Sequence, residues 1–193
     1  MYDRQIAITG CGRSGTLYIT RVLRQLGLNI GHETARTNDP KPAGNVSWYL
    51  APIVDPTKYF VIHQVRHPVR VIASLWTLGN PSWEYIYKHA PSISPDSPRL
   101  LQGMQYWVEW NKMAEAKASV RFRIEDLSMD LEKLCELLGL LPNYGALSKV
   151  PNDTNTRRHH AGYRKVTWLD LQAQDEALCT EIMQMAERYG YDY

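Results

Sequence analysis

The sequence predicts an α/β fold of three layers, a central parallel sheet flanked by helices, built as one domain over residues 1–193. Three observations lead there. Ile6-Ala7-Ile8-Thr9 is a short β-prone run that passes through a glycine-bearing loop into apolar residues at helical spacing, Leu17, Ile19, Val22, Leu23 and Leu26, stopped by Gly27. Tyr59 to Val65 is a near-continuous β-branched and aromatic run, as in a strand covered on both faces, and Pro68 follows at a first helical position. Val120-Arg121-Phe122-Arg123-Ile124 repeats the strand signal. Strand and helix alternating in this way open a parallel α/β sheet.

The other elements follow in order. Val69, Ile72, Ala73 and Trp76 mark the buried stripe of the helix behind Pro68. Ser97 to Ala116 is a longer amphipathic helix through Leu101, Met104, Trp107 and Val108. Ser128 is the expected cap of a helix carrying Leu131, Leu134 and Leu138. Residues 142–166 lack periodicity and read as a long loop. Thr167 starts the C-terminal helices, whose buried face holds Leu178, Ile182, Met185 and Tyr189.

Composition narrows the function. Hydrophobic residues make up 44% and charged residues 22% of the chain, as in ordinary globular domains. A net charge of +2 argues against nucleic-acid or membrane binding by bulk electrostatics, so an anion site must be local. Cys11, Cys135 and Cys179 form neither a disulfide framework nor a CxxC zinc knuckle. A signal-peptide core and a run of ~18 apolar residues are both missing, so the expectation is a complete, soluble, cytoplasmic protein with no membrane span.

Gly10-Cys11-Gly12-Arg13-Ser14-Gly15-Thr16 lies where the first strand hands over to its helix. Backbone amides converge on an anion at such a place, and the helix dipole adds about half a positive charge. The Ser14 and Thr16 hydroxyls add donors, and Arg13 adds a bidentate charge. The pattern is P-loop-like, close to GxxxxGK[ST], but Thr16 stands where the lysine belongs. Arg66, at the end of the second long strand, and Ser74, in the helix that follows, form a second phosphate site at an equivalent crossover.

These residues resemble the sulfotransferases that use 3′-phosphoadenosine 5′-phosphosulfate (PAPS) and release adenosine 3′,5′-bisphosphate (PAP). GCGRSGT (Gly10 to Thr16) is similar to the family's 5′-phosphosulfate loop in the RSGT form of tyrosylprotein and many carbohydrate sulfotransferases. HQVRHPVRVIASL (His63 to Leu75) resembles its 3′-phosphate motif, and RIEDL (Arg123 to Leu127) its RYEDL. The resemblance implies that Gly12, Arg13, Ser14, Gly15, Thr16, Leu17, Arg66 and Ser74 bind the nucleotide and that no metal is needed. It also implies a catalytic glutamate just past the first helix, where Glu33 stands, with Arg13 as its electrostatic partner in catalysis. Two positions depart from the pattern. Ile124 replaces a tyrosine that touches the adenine region, and Arg13 replaces the lysine of many cytosolic members. The chain is shorter than most relatives, which implies an acceptor pocket that is reduced or completed by a partner.

Neighbouring residues carry rival readings. His32 competes with Glu33 as base. His32-Glu33-Thr34-Ala35-Arg36 begins like HExxH, but Arg36 closes off the zinc-protease reading. His159 and His160 read as a solvated loop pair, His63 as a hydrogen-bonded core histidine and Cys11 as a packing residue. Ser47 and Trp48 are either acceptor-pocket residues or core. The resemblance implies a later basic segment over the nucleotide, for which Arg157, Arg158, Tyr163 and Arg164 in the loop 155–165 are the candidates. The acceptor is a small-molecule, glycan or lipid hydroxyl. A small P-loop kinase for a metabolite and a non-catalytic PAP-binding module are the alternatives.

Overall fold

The computed structural model describes residues 4–34, 41–151, 154 and 163–193. Five parallel strands form one sheet in the order β2-β3-β1-β4-β5, where β1 is Gln5–Thr9, β2 Gly31–His32, β3 Gly44–Val46, β4 Tyr59–Val65 and β5 Val120–Arg123. Ile6 to Ile8 pair with Gly44 to Val46 on one side and with Phe60 to Ile62 on the other, which makes β1 and β4 the central strands. The helices are α1 (Thr16–Gln25), α2 (Pro68–Ser74), α3 (Asn80–His89), α4 (Arg99–Glu115), α5 (Leu127–Leu138), α6 (Tyr144–Ser148), α7 (Trp168–Gln174) and α8 (Glu176–Arg188).

Strand alternation sorts the core into two layers. Ile6, Ile8, Phe60 and Ile62 face α1 and α5 through Ile19, Leu23, Leu131 and Leu134. On the opposite face Val65 packs with Ile72 of α2, Trp107 of α4 and Ile182 of α8. Both faces of β4 are covered, which is why its sequence is a near-continuous apolar run. His63 is fully buried in it and pairs through Nε2 with Asn111 Oδ1 at 2.9 Å, a core histidine as the sequence suggests. Burial holds its pKa down at about 4, so it stays neutral.

The three-layer α/β prediction holds, with local corrections. Ser128 is not a cap: the helix begins at Leu127, Asp126 takes the N-cap position, and Ser128 lies one residue inside. Ile124 leaves the strand to start a 3₁₀ turn over Ile124–Asp126. The long loop contains α6, which Asn143 caps by accepting a hydrogen bond from Gly145 N at 2.9 Å. Thr167 does cap α7, in a reciprocal capping box with Asp170.

Candidate functional site

In the strand order β2-β3-β1-β4-β5 the chain reverses its direction of growth at β1, so the carboxyl ends of β1 and β4 flank a topological switch point. Two loops leave from there, Gly10 to Gly15 and Arg66 to His67. Gly10 crosses directly over β4, and a Cβ at this residue would sit 2.0 Å from Gln64 O. Beyond it the loop is pinned from beneath. Gly12 N donates to Tyr106 Oη at 2.7 Å, and Gln64 Nε2 donates to Ser14 O. Cys11 is buried with Sγ aimed at Trp107 O, and burial pushes its thiol well up, in keeping with a packing role.

The loop then turns through left-handed backbone at Arg13 (φ 70°) and Gly15 (φ 87°) into the first turn of α1. That turn contains no acidic residue, and its leading amides have no partner within the helix. Ser14 Oγ is buried with no hydrogen-bond partner among the described residues. Such an orphan, beside a positive helix end, suits an anion acceptor.

Arg66 follows β4 and reaches back to the loop, its Nη1 donating to Arg13 O at 2.8 Å. Ser74 ends α2, is 5% exposed, and donates through Oγ to Val71 O at 2.9 Å. It is not among the residues lining the cleft. Arg70, exposed on α2 and overlooked in the sequence, does line it and brings a third guanidinium. The Arg-x-x-x-Arg spacing from Arg66 was its one signal.

Glu33 enters from the sheet edge. Its amide donates to Val46 O at 3.0 Å, extending the β2–β3 ladder, and its backbone then swings to φ 54°. Arg13 and Glu33 are the two non-glycine residues with positive φ among the described residues, and both line the same cleft. A left-handed non-glycine residue costs about 1–2 kcal/mol, and such strain concentrates at functional sites. His32 does not line the cleft: its Nε2 lies 3.2 Å from Thr16 Oγ1. Burial first, then the charges of Arg24 and Arg21, hold its pKa down at about 4.

The cleft measures ≈ 780 Å³. Its floor carries Gly12, Arg13, Gly15, Thr16, Leu17 and Arg66. The wall from α1, α5 and α6 is uncharged, with Tyr18, Leu127, Ser128, Tyr144, Leu147 and Ser148. Half of this wall, Tyr144, Leu147 and Ser148, was hidden from sequence reasoning because α6 was read as loop. Ile124 packs against Gly15, 3.2 Å from where a Cβ there would stand.

The rest of the RIEDL segment is a clasp. Glu125 Oε1 accepts from His67 N at 3.1 Å and Oε2 accepts from Tyr191 Oη at 2.8 Å. Arg123 bonds Asp126 and the carbonyl of Gly190 and stacks 5.2 Å above Tyr191. Burial, with Glu125 alongside, pushes the Tyr191 hydroxyl far up, so it remains a donor.

Of the Ser47–Trp48 pair, Trp48 reaches the cleft, while Ser47 is buried and accepts from Tyr49 N at 3.2 Å. Tyr163 packs on the α2–α4 core and Arg164 N donates to Ala73 O at 3.3 Å; neither lines the cleft. Arg36, Arg157, Arg158, His159 and His160 lie outside the described residues. Among the described residues no group of three or more His, Cys, Asp or Glu side chains gathers to hold a metal ion, and no helix is long and apolar enough to cross a membrane.

No family model and no curated protein sequence matches this chain. Solved structures do. The mouse sulfotransferase SULT7A1, complexed with PAP, superposes with a TM-score of 0.56 at 14% identity, over 99% of this chain and 91% of that one. The sulfotransferase domain from the curacin biosynthetic pathway superposes with a TM-score of 0.53 at 15% identity, over 99% of both chains. At these identities the likeness establishes a shared fold along the whole chain.

Proposed function

We propose that this chain is a sulfotransferase that moves the sulfuryl group of PAPS onto a hydroxyl acceptor. The observation that carries the reading is the convergence on one cleft of the strained Arg13 turn, the Arg66 guanidinium bonded to it, and the strained Glu33. The fold is that of a sulfotransferase solved with PAP, which adds support.

The donor set suits a nucleotide with two separate anionic groups. The first amides of α1, Arg13 and the orphaned Ser14 hydroxyl serve the 5′ side. Arg66 and Arg70 serve the 3′-phosphate. The uncharged wall of Tyr18, Tyr144 and Leu147 accommodates the base. A triphosphate with magnesium is served less well, because Thr16 holds the place of the phosphate-binding lysine.

PAPS supplies a sulfur already bonded to a phosphate leaving group. The amides at Gly15 to Leu17 and the Arg13 charge stabilise negative charge as it builds on that phosphate. Arg13 does this electrostatically, since a guanidinium does not give up its proton at neutral pH. Glu33 takes the proton from the acceptor hydroxyl at one of its carboxylate oxygens. Trp48, whose ring reaches the same cleft, flanks the acceptor side. All three cysteines are buried free thiols, which suits a reducing cytoplasm.

The test is ligand stabilisation. PAP at a hundredfold excess over its Kd is expected to add about 2.7 kcal/mol. At this chain length that raises Tm by roughly 5–10 °C. Equal or greater stabilisation by ATP with magnesium would favour the kinase reading and overturn this one.

A further inference from the structure

We infer that His32 is a positioning residue whose Nε2–H, donated to Thr16 and facing Glu33, turns the Thr16 hydroxyl proton toward the anion and favours the Glu33 carboxylate at the cleft. The second half of this inference rests on the sulfuryl-transfer reading above. The first half rests on the anion site alone.

The geometry is specific. His32 Nε2 is 3.2 Å from Thr16 Oγ1 and 3.9 Å from Glu33 Oε1. Consecutive residues of a strand project to opposite faces, so His32 and Glu33 would ordinarily diverge. The left-handed backbone at Glu33, φ 54°, breaks the alternation and leaves its Oε1 3.9 Å from the same ring nitrogen, outside hydrogen-bond reach but near enough for its charge to favour an N–H there. A carboxylate oxygen can only accept, so a ring nitrogen placed between it and a hydroxyl is best filled by N–H. Thr16 Oγ1 then accepts from His32, and its own proton is left for an acceptor elsewhere. Thr16 is the first residue of α1 and lines the cleft, so that acceptor is an anion bound at the helix start.

The groups around the ring favour the neutral form. Arg21 and Arg24 on α1 both disfavour a charged imidazole, and the ring is largely enclosed. The imidazole spends its N–H on Thr16 and does not itself serve as the proton acceptor.

The first measurement needs no activity. Two-bond ¹H–¹⁵N correlation on protein labelled at histidine reports the tautomer, and the spectrum of His32→Gln assigns His32 among the six histidines. An Nε2–H tautomer at pH 7 is expected. An Nδ1–H tautomer or an imidazolium overturns the inference.

The second measurement compares His32→Phe, which keeps a ring without nitrogens, with His32→Gln, which keeps an amide N–H donor. His32→Phe is expected to weaken PAP binding about tenfold, because the Thr16 hydroxyl is no longer held toward the anion, and to slow transfer further. His32→Gln is expected to recover most of the PAP affinity. A His32→Phe protein that binds PAP like wild type overturns the inference while leaving the sulfotransferase reading intact. Wild-type protein that binds inorganic phosphate or sulfate but not PAP overturns the sulfotransferase reading and the Glu33 half, and the tautomer then decides the Thr16 half.

Discussion

Replacing Arg66 with alanine separates the structural role of this side chain from its proposed one. Its guanidinium donates to Arg13 O at 2.8 Å, so it props the strained turn, and it also lines the cleft, so it can grip a phosphate. The propping bond is part-buried and neutral on the acceptor side, which makes it worth about 1 kcal/mol. Its loss is expected to lower Tm by about 2–4 °C. The proposed phosphate contact would join two full charges in a partly enclosed cleft, and its loss should cost about 2–4 kcal/mol of PAP binding. That is a fall in affinity of about 30- to 1000-fold. Calorimetry with PAP and with adenosine 5′-phosphosulfate distinguishes the roles, because the second nucleotide lacks the 3′-phosphate. Arg66→Ala should bind it within about threefold of wild type, the allowance for a loosened Arg13 turn. If both nucleotides lose affinity equally, Arg66 shapes the loop and does not read the 3′-phosphate.

Three other substitutions probe the strained and crowded backbone. Glu33→Gln should leave PAP affinity nearly unchanged but slow single-turnover transfer about 10²- to 10⁴-fold, whereas wild-type turnover would remove Glu33 from the mechanism. Gly10→Ala forces a Cβ to within 2.0 Å of Gln64 O and should destabilise by about 3 kcal/mol or more in urea. Gly27→Ala, where nothing lies within 4 Å and only the positive φ of 92° resists, should cost about 1 kcal/mol. Equal losses at the two glycines would contradict the close approach of the loop to β4.

The long buried elements were legible because their patterns depend on little beyond themselves. The strand read at Tyr59 to Val65 is β4 to the residue, since a strand covered on both faces needs no alternation to be seen. The helix read at Ser97 to Ala116 appears as Arg99–Glu115. The two short strands on one side of the sheet were not visible. Gly31–His32 and Gly44–Val46 are two and three residues long, and partners far away in sequence make them strands. Helix α6 escaped for a related reason. It has five residues, with only Ala146 buried, so no apolar stripe could announce it.

The candidate site divides along the same line. Arg13 and Arg66 were found because each sits at a strand–helix crossover, where local sequence already implies exposed amides and a charge beside them. Arg70, Tyr18, Tyr144 and Ser148 were missed because they reach the cleft only once α1, α2, α5 and α6 are packed around it. Ser74 matches a motif, yet its hydroxyl is engaged with Val71 O in its own helix, a bond that spacing cannot foresee. The choice between His32 and Glu33 turned on something subtler still. Two adjacent residues ending a strand differ only in the face they take, and a left-handed turn at the second rewrites that assignment. Neither residue type demands such a turn. At both Arg13 and Glu33 the surrounding fold imposes an unfavourable backbone that turns a charged side chain into the cleft, and strain held where it does not help stability is the mark of a site shaped for chemistry.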